Sequence, residues 1–203
     1  MLTLFHAPWS RSSRLVWLLE EIGAGYEICY CDIPRMDGSG ARDPRNPHPD
    51  GKVPALLHDD VLVTESAAVA LYLTDLFPEA GLGAPVGSPE RGAYLTWLAW
   101  TAGEMEPAFW SRISGAAESD PNAKARFDAV IARLLTALAT GPYLMGDRFT
   151  AVDVMIASAL AWGREYVPES ALIDAYLERA LNRPANERAA AKDGDLQRSV
   201  QAA

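Results

Sequence analysis

The chain opens on Leu2-Thr3-Leu4-Phe5-His6, a largely apolar run of strand length, and Ala7-Pro8-Trp9 breaks it. From Ser10 to Ile22 the apolar positions change period. Leu15, Leu18, Leu19 and Ile22 fall at i, i+3, i+4 and i+7, one face of a helix, and Gly23 and Gly25 end it. Tyr26 to Cys31 reads as a second strand. Residues 34–52 are rich in Gly, Pro, Asp and Asn, which predicts a loop with at most a short helix. Val53–Leu57 and Val61–Thr64 flank Asp59-Asp60 as the arms of a hairpin. Glu65 to Phe77 returns to a helical period, with Val69, Tyr72, Leu73 and Leu76 inward. The order β-α-β-loop-β-β-α describes a small α/β unit with a mixed sheet.

Gly81 to Pro89 reads as a linker, and beyond it strand patterns stop. Four helices are predicted: Glu90–Ser114 unbroken, Pro121–Thr140, Thr150–Trp162 and Ser170–Leu181. The second carries Phe127, Val130, Ile131, Leu134, Leu135 and Leu138 on one face. Asn182-Arg183-Pro184 stops the last, and the small, polar tail Ala189–Ala203 is expected to fray. The expected division is an α/β domain over 1–79, a linker over 80–88 and an all-helical domain over 89–203, without internal repeats.

Composition narrows the function. Of 203 residues, 49% are apolar and 22% charged, an ordinary globular balance that excludes a disordered chain. Eighteen basic against 27 acidic residues give a net charge of −9, which disfavours nucleic acid and anionic membranes as partners. No apolar run approaches the roughly 20 residues of a membrane span, so a cytoplasmic protein is expected. Two cysteines cannot make a disulfide scaffold, and three histidines without paired spacing give no metal site.

Four segments carry chemistry. Ala7-Pro8-Trp9-Ser10-Arg11-Ser12-Ser13-Arg14 turns from strand to helix. Its hydroxyls can cap the helix, or the positive helix end can hold an anion such as a thiolate. Gly51-Lys52-Val53-Pro54-Ala55-Leu56 opens a strand with a proline, tolerated only where no ladder donor is needed. Thr64-Glu65-Ser66 starts a helix, where Ser66 and the N–H groups behind it suit a carboxylate and Glu65 suits an ammonium. Thr150-x-x-Asp153 within Gly146–Asp153 reads as a capping box, with Phe149 and Val154 placed as a hydrophobic staple.

In this order, across nearly the whole chain, these segments resemble the cytosolic glutathione transferases of the bacterial type. The resemblance implies a thioredoxin-like N-terminal domain followed by an all-α bundle. It implies glutathione as co-substrate, a homodimer, and no metal. A serine at the first turn, Ser10 or else Ser12, would donate a hydrogen bond to the glutathione sulfur and so lower the thiol pKa. Pro54 would be cis, and Val53 would pair its backbone with the extended tripeptide. Glu65 and Ser66 would take the γ-glutamyl amine and carboxylate, and Lys52, with His48 a weaker choice, the glycyl carboxylate. A hydrophobic electrophile would bind between the domains, against Trp9, Trp100, Glu104, Phe109 and Trp110; Trp97 with Trp100 fits a core stripe equally well.

No tyrosine precedes Tyr26 and no cysteine stands at the first helix, so serine or backbone donors are left to hold the sulfur. Cys29 and Cys31, two apart on a strand, read as packing residues rather than a redox pair. The expected reaction is conjugation of the thiol to small electrophiles. The alternatives are a glutathione-dependent disulfide or peroxide reductase, and a non-catalytic glutathione-binding or assembly module.

Overall fold

The computed structural model describes residues 1–201, with side chains through Asp193. Four strands, β1 (Leu2–His6), β2 (Glu27–Tyr30), β3 (Ala55–His58) and β4 (Val61–Thr64), form one sheet in the order β2-β1-β3-β4. The β1–β2 pair is parallel and the other two pairs are antiparallel. One row of partners, Cys29–Phe5–Ala55–Thr64, crosses all four strands. On this side of the sheet Phe5, Cys31 and Ala55 pack together, with Cys29 and Leu57 against them.

Helix α1 (Ser13–Ile22) joins the parallel pair, and Gly23, at φ +72, closes it by donating its N–H to Leu19 O at 3.0 Å. The sequence pattern gives α1 one apolar face, yet Arg14, Val16 and Trp17 are buried along with Leu15, Leu18 and Leu19. The cause is helix α9 (Pro184–Gln201), which packs along α1. The tail therefore does not fray through Gln201; the expectation for Ala202 and Ala203 lies outside the described residues. Pro184 takes the first helical position, where a missing N–H costs nothing. Ala185, Ala189 and Asp193, four apart, form the buried face, and the alanines let the two backbones approach closely.

This helix changes the domain division. One compact unit comprises Met1–Ala80 and the chain from Pro184 on; the other is Gly81–Arg183. In the first, α2 (Ser66–Leu76) follows the hairpin and packs on α1. The connection from β2 to β3 holds no helix or strand; its own side chains brace it. Asp32 accepts the N–H groups of Ile33 (2.9 Å) and Ala41 (2.7 Å), and Asp43 accepts the Asp32 N–H at 3.2 Å. The Arg45 guanidinium, 2.7 Å from Asp43, holds that carboxyl well below the usual range. Gly40 sits at φ +74 with Ile33 O 2.1 Å from where a Cβ would be, so only glycine fits.

The second unit is helical. The expected single helix Glu90–Ser114 is instead α3 (Arg91–Trp100), a π turn (Thr101–Met105) and α4 (Glu106–Ile113). Pro107 explains the break. It has no N–H for the carbonyl four residues back, Gly103 O, which accepts from the Arg126 guanidinium at 3.1 Å instead. The short α5 (Ala116–Ser119) leads to α6 (Pro121–Leu138), capped by Asp120, whose carboxylate accepts from Asn122 N at 2.9 Å. Helix α7 (Ala151–Trp162) is the buried centre of this unit, and α8 (Ala171–Leu181) packs on it.

Candidate functional site

The sheet register brings three of the chemistry-bearing segments to one end of the first unit. Phe5, Ala55 and Thr64 are cross-strand partners. The turn Ala7–Ser12 therefore leaves β1 at the edge where Val53-Pro54 enters β3 and where Glu65-Ser66 leaves β4. The Val53–Pro54 bond is cis, as expected. Val53 is buried and lies just outside the strand ladder, which starts at Ala55.

Among the described residues, two of the three non-glycine residues with positive φ sit at this edge: Trp9 at +58 and Glu65 at +67. The third, Asp59 at +50, has a local reason, since it makes the hairpin turn and pairs with the N-terminal amine at 2.5 Å. Such backbone costs roughly 1–3 kcal/mol per residue and gathers where a side chain must be aimed. Trp9 is 70% exposed. Glu65 is exposed and Ser66, the first residue of α2, is half-buried.

The serines do not cap α1. Ser12 has helical φ and ψ of −74° and −20°, and its hydroxyl makes no capping bond. Instead Ser12 Oγ lies 2.7 Å from both His6 Nδ1 and Ser10 Oγ, and accepts from Ala7 N–H at 3.2 Å. Ser10 Oγ accepts the Ser12 N–H at 3.1 Å and donates to Ala7 O at 2.7 Å. Ser12 is fully buried; Ser10 is half-buried. On the far side of the imidazole, His6 Nε2 faces Asp193 Oδ1 at 2.7 Å. Arg35 ties the long loop to this turn by donating to Pro8 O at 3.2 Å.

Lys52 is exposed, its ammonium 3.7 Å from Asp50. His48 is not available as a ligand group in the way its position suggests. It is buried, and its Nδ1 accepts the Asp50 N–H at 3.1 Å, which fixes the loop. The Cys31 thiol is pushed up to about 12 by burial and by Cys29 beside it, so it stays protonated in its apolar cluster.

The proposed acceptor residues of the second unit divide. Trp110 is exposed. Glu104 is exposed but held by Arg126 at 2.9 Å. Phe109 is interior, 2% exposed and packed on Phe127 with ring centroids 5.4 Å apart. Trp100 is also interior, edge-on to Trp97 at 5.2 Å, with the Arg133 guanidinium over both rings. Phe109 and Trp100 therefore support the fold of this unit in place of the ligand-facing positions expected of them. Among the described residues no group of three His, Cys, Asp or Glu side chains could hold a metal ion, and no helix is long and apolar enough to cross a membrane.

His6 and Asp193 were not legible as site residues. His6 ends a strand, and Asp193 lies in a polar tail; the spacing of Ala185, Ala189 and Asp193 is the one signal that could have placed it.

Residues 1–75 match the family described as glutathione S-transferase, N-terminal domain, and residues 99–176 the corresponding C-terminal domain. The chain is 30% identical over 199 residues to glutathione S-transferase GstA of Escherichia coli O157:H7, covering 94% of this chain and 98% of that one. It is 26% identical to the disulfide-bond oxidoreductase YfcG of Escherichia coli K12, covering 95% of each. A sphingomonad glutathione S-transferase solved in complex with glutathione superposes with a TM-score of 0.79 at 28% identity, covering 95% of this chain and 98% of that one.

Proposed function

The chain belongs to the glutathione S-transferase family, and from that premise we propose that it conjugates the thiolate of glutathione to small hydrophobic electrophiles. One observation carries this reading: a half-buried hydroxyl, Ser10, stands in front of a fully buried one, Ser12, and neither is spent on capping α1. Ser10 is the donor to the sulfur, because it alone of the two reaches solvent, and its hydroxyl turns from Ala7 O to the ligand to do so. A single hydrogen bond from a neutral donor to an anion is of the strength that shifts a thiol toward its nucleophilic form.

The remaining roles follow from position. Val53 offers its backbone to the cysteinyl segment of glutathione, next to Pro54. Glu65 takes the γ-glutamyl ammonium, and Ser66 at the start of α2 the adjoining carboxylate. Lys52, 3.7 Å from an exposed Asp50, takes the glycyl carboxylate. Trp9, exposed beside Ser10, is the aromatic surface this unit offers to the electrophile. With an aryl halide the sulfur–carbon bond forms, the halide leaves and the thiol proton goes to the protein or solvent. The active protein is a cytoplasmic homodimer in this reading.

Likeness to the oxidoreductase YfcG favours a second reading, thiol–disulfide exchange by bound glutathione at the same site. The turn holds no cysteine, so the attacking thiolate would again be glutathione's own. Calorimetry with glutathione, followed by turnover of chlorodinitrobenzene and of a model disulfide, separates these. Conjugation faster than disulfide reduction is the expected result. Reduction alone would select the second reading, binding without turnover would leave a non-catalytic module, and no binding would end the site assignment.

A further inference from the structure

Three contacts of 2.7 Å lead from Ser10 into the interior of the first unit: Ser10 Oγ to Ser12 Oγ, Ser12 Oγ to His6 Nδ1, and His6 Nε2 to Asp193 Oδ1. His6 and Ser12 have no exposed surface, and Asp193 is buried. The ring of Tyr30, from β2, lies edge-on to the imidazole at 5.6 Å. His6 Nε2 and Asp193 Oδ1 have no aligned hydrogen-bond partner among the described residues; they face only each other. Burying an imidazole and a carboxylate costs free energy that an apolar pair would not, and capping α1 does not require either.

We propose that Asp193, His6 and Ser12 form a proton wire that ionises the thiol of glutathione bound at Ser10, an inference that rests on the glutathione-binding reading above. The Asp193 carboxylate holds the imidazole proton on Nε2 and leaves Nδ1 as an acceptor. Ser12 then donates to Nδ1, the Ser10 hydroxyl turns from Ala7 O to donate to Ser12 when glutathione binds, and the thiol donates to Ser10. Ionisation breaks the S–H bond and moves one proton across each contact. The last proton rests on Nδ1, as an imidazolium beside Asp193, and the sulfur keeps the electron pair.

Every hydroxyl now points the other way, Ser12 to Ser10 and Ser10 to the thiolate. The contacts that removed the proton therefore also stabilise the anion. The N–H groups of Ala7 and Ser12, at 3.2 and 3.1 Å from Ser12 Oγ and Ser10 Oγ, hold both oxygens in place throughout. When the conjugate leaves, the wire runs backward and the proton returns to water at Ser10. His6 and Asp193 are positioning residues in this scheme, since they act on the sulfur only through the serines.

The test follows the ultraviolet thiolate absorbance of glutathione bound to the full chain as a function of pH. In the wild type the bound thiol should ionise at lower pH than free glutathione. Asp193→Asn should raise that midpoint by about one pH unit and lower kcat about tenfold near neutrality, with KM for glutathione unchanged. Ser12→Ala should raise it by a similar amount. The double variant should shift it no further, because either change breaks the same wire. Arg188→Ala loosens α9 without touching the wire and should leave the midpoint in place. If Asp193→Asn does not fold, Ser12→Ala alone decides. Unchanged midpoints, fully additive shifts, or an equal shift in Arg188→Ala would overturn the wire alone. A wild type that binds no glutathione would overturn the wire together with the reading beneath it.

Discussion

Helices α1 and α7 both begin with hydroxyl side chains and use them in opposite ways. At α7, Thr150 donates its N–H (2.8 Å) and its hydroxyl (3.2 Å) to Asp153 Oδ2. Oδ1 of the same carboxylate accepts Leu144 N–H at 3.0 Å and the Tyr176 hydroxyl at 3.2 Å. The cluster is buried and closed: burial pushes the Asp153 carboxyl up although all four donors pull it down. At α1, Ser10 bonds to Ser12 and to Ala7 O, Ser12 bonds to His6, and behind them Asp193 Oδ1 faces the imidazole. A hydroxyl whose neighbours consume its bonding capacity builds structure. One left half-buried can exchange a backbone partner for a ligand.

Breaking the closed cluster should have the largest effect. Asp153→Ala strands the N–H groups of Leu144 and Thr150 and the Tyr176 hydroxyl in the interior. It should cost about 4 kcal/mol or more in urea unfolding, while activity per folded molecule is kept. A loss below about 1 kcal/mol would show that the cluster is not closed.

Ser10→Ala sharpens the contrast from the other side. It should lower kcat/KM about ten- to a hundredfold in the chlorodinitrobenzene assay and change unfolding free energy by less than about 1 kcal/mol. Equal activity in Ser10→Ala and the wild type would leave the sulfur to backbone donors. Thr150→Ala removes one of four donors to Asp153 and should cost about 1 kcal/mol, with no effect on kcat.

The smallest effect belongs to the helix that closes the wire. Burial raises the Glu20 carboxyl, but bonds from Lys192, Tyr26 and Arg188 outweigh it and hold the group below its ordinary value of 4.5. A carboxyl lowered on folding contributes stability that is complete above its unfolded pKa and is lost as pH falls through the folded one. The stability gap between wild type and Glu20→Gln should therefore be fully open above pH 4.5 and close on acidification below it. A gap that widens in acid would show that Glu20 does not anchor α9.

Much of the fold was readable because period reports burial directly. Leu15, Leu18 and Leu19 mark the core face of α1, and β1 and β4 begin and end where the pattern changes. The tail defeated that logic. Its buried face is alanine and aspartate, so helix α9 carries almost no apolar signal, although it covers α1. The π turn at Thr101–Met105 was hidden for a different reason: helical spacing survives a one-residue bulge, and Pro107 becomes its cause only once Arg126 is seen on Gly103 O. Among the site residues, Trp100 and Phe109 show that an aromatic stripe has the same spacing whether it faces a core or a ligand.

The sequence by itself determined the order of elements from β1 to α2, the proline before β3, the acidic residue and serine at the start of α2, and the hydroxyl-rich turn into α1. Each of these is a local matter, settled by backbone propensity and by the residue types within a few positions. Only the tertiary structure decided which hydroxyls bond within their own helix start and which turn to a distant partner, because that depends on His6 and Asp193, 187 positions apart in the chain. A hydroxyl's role is set by the partners that consume its hydrogen bonds, and long-range packing alone supplies those partners.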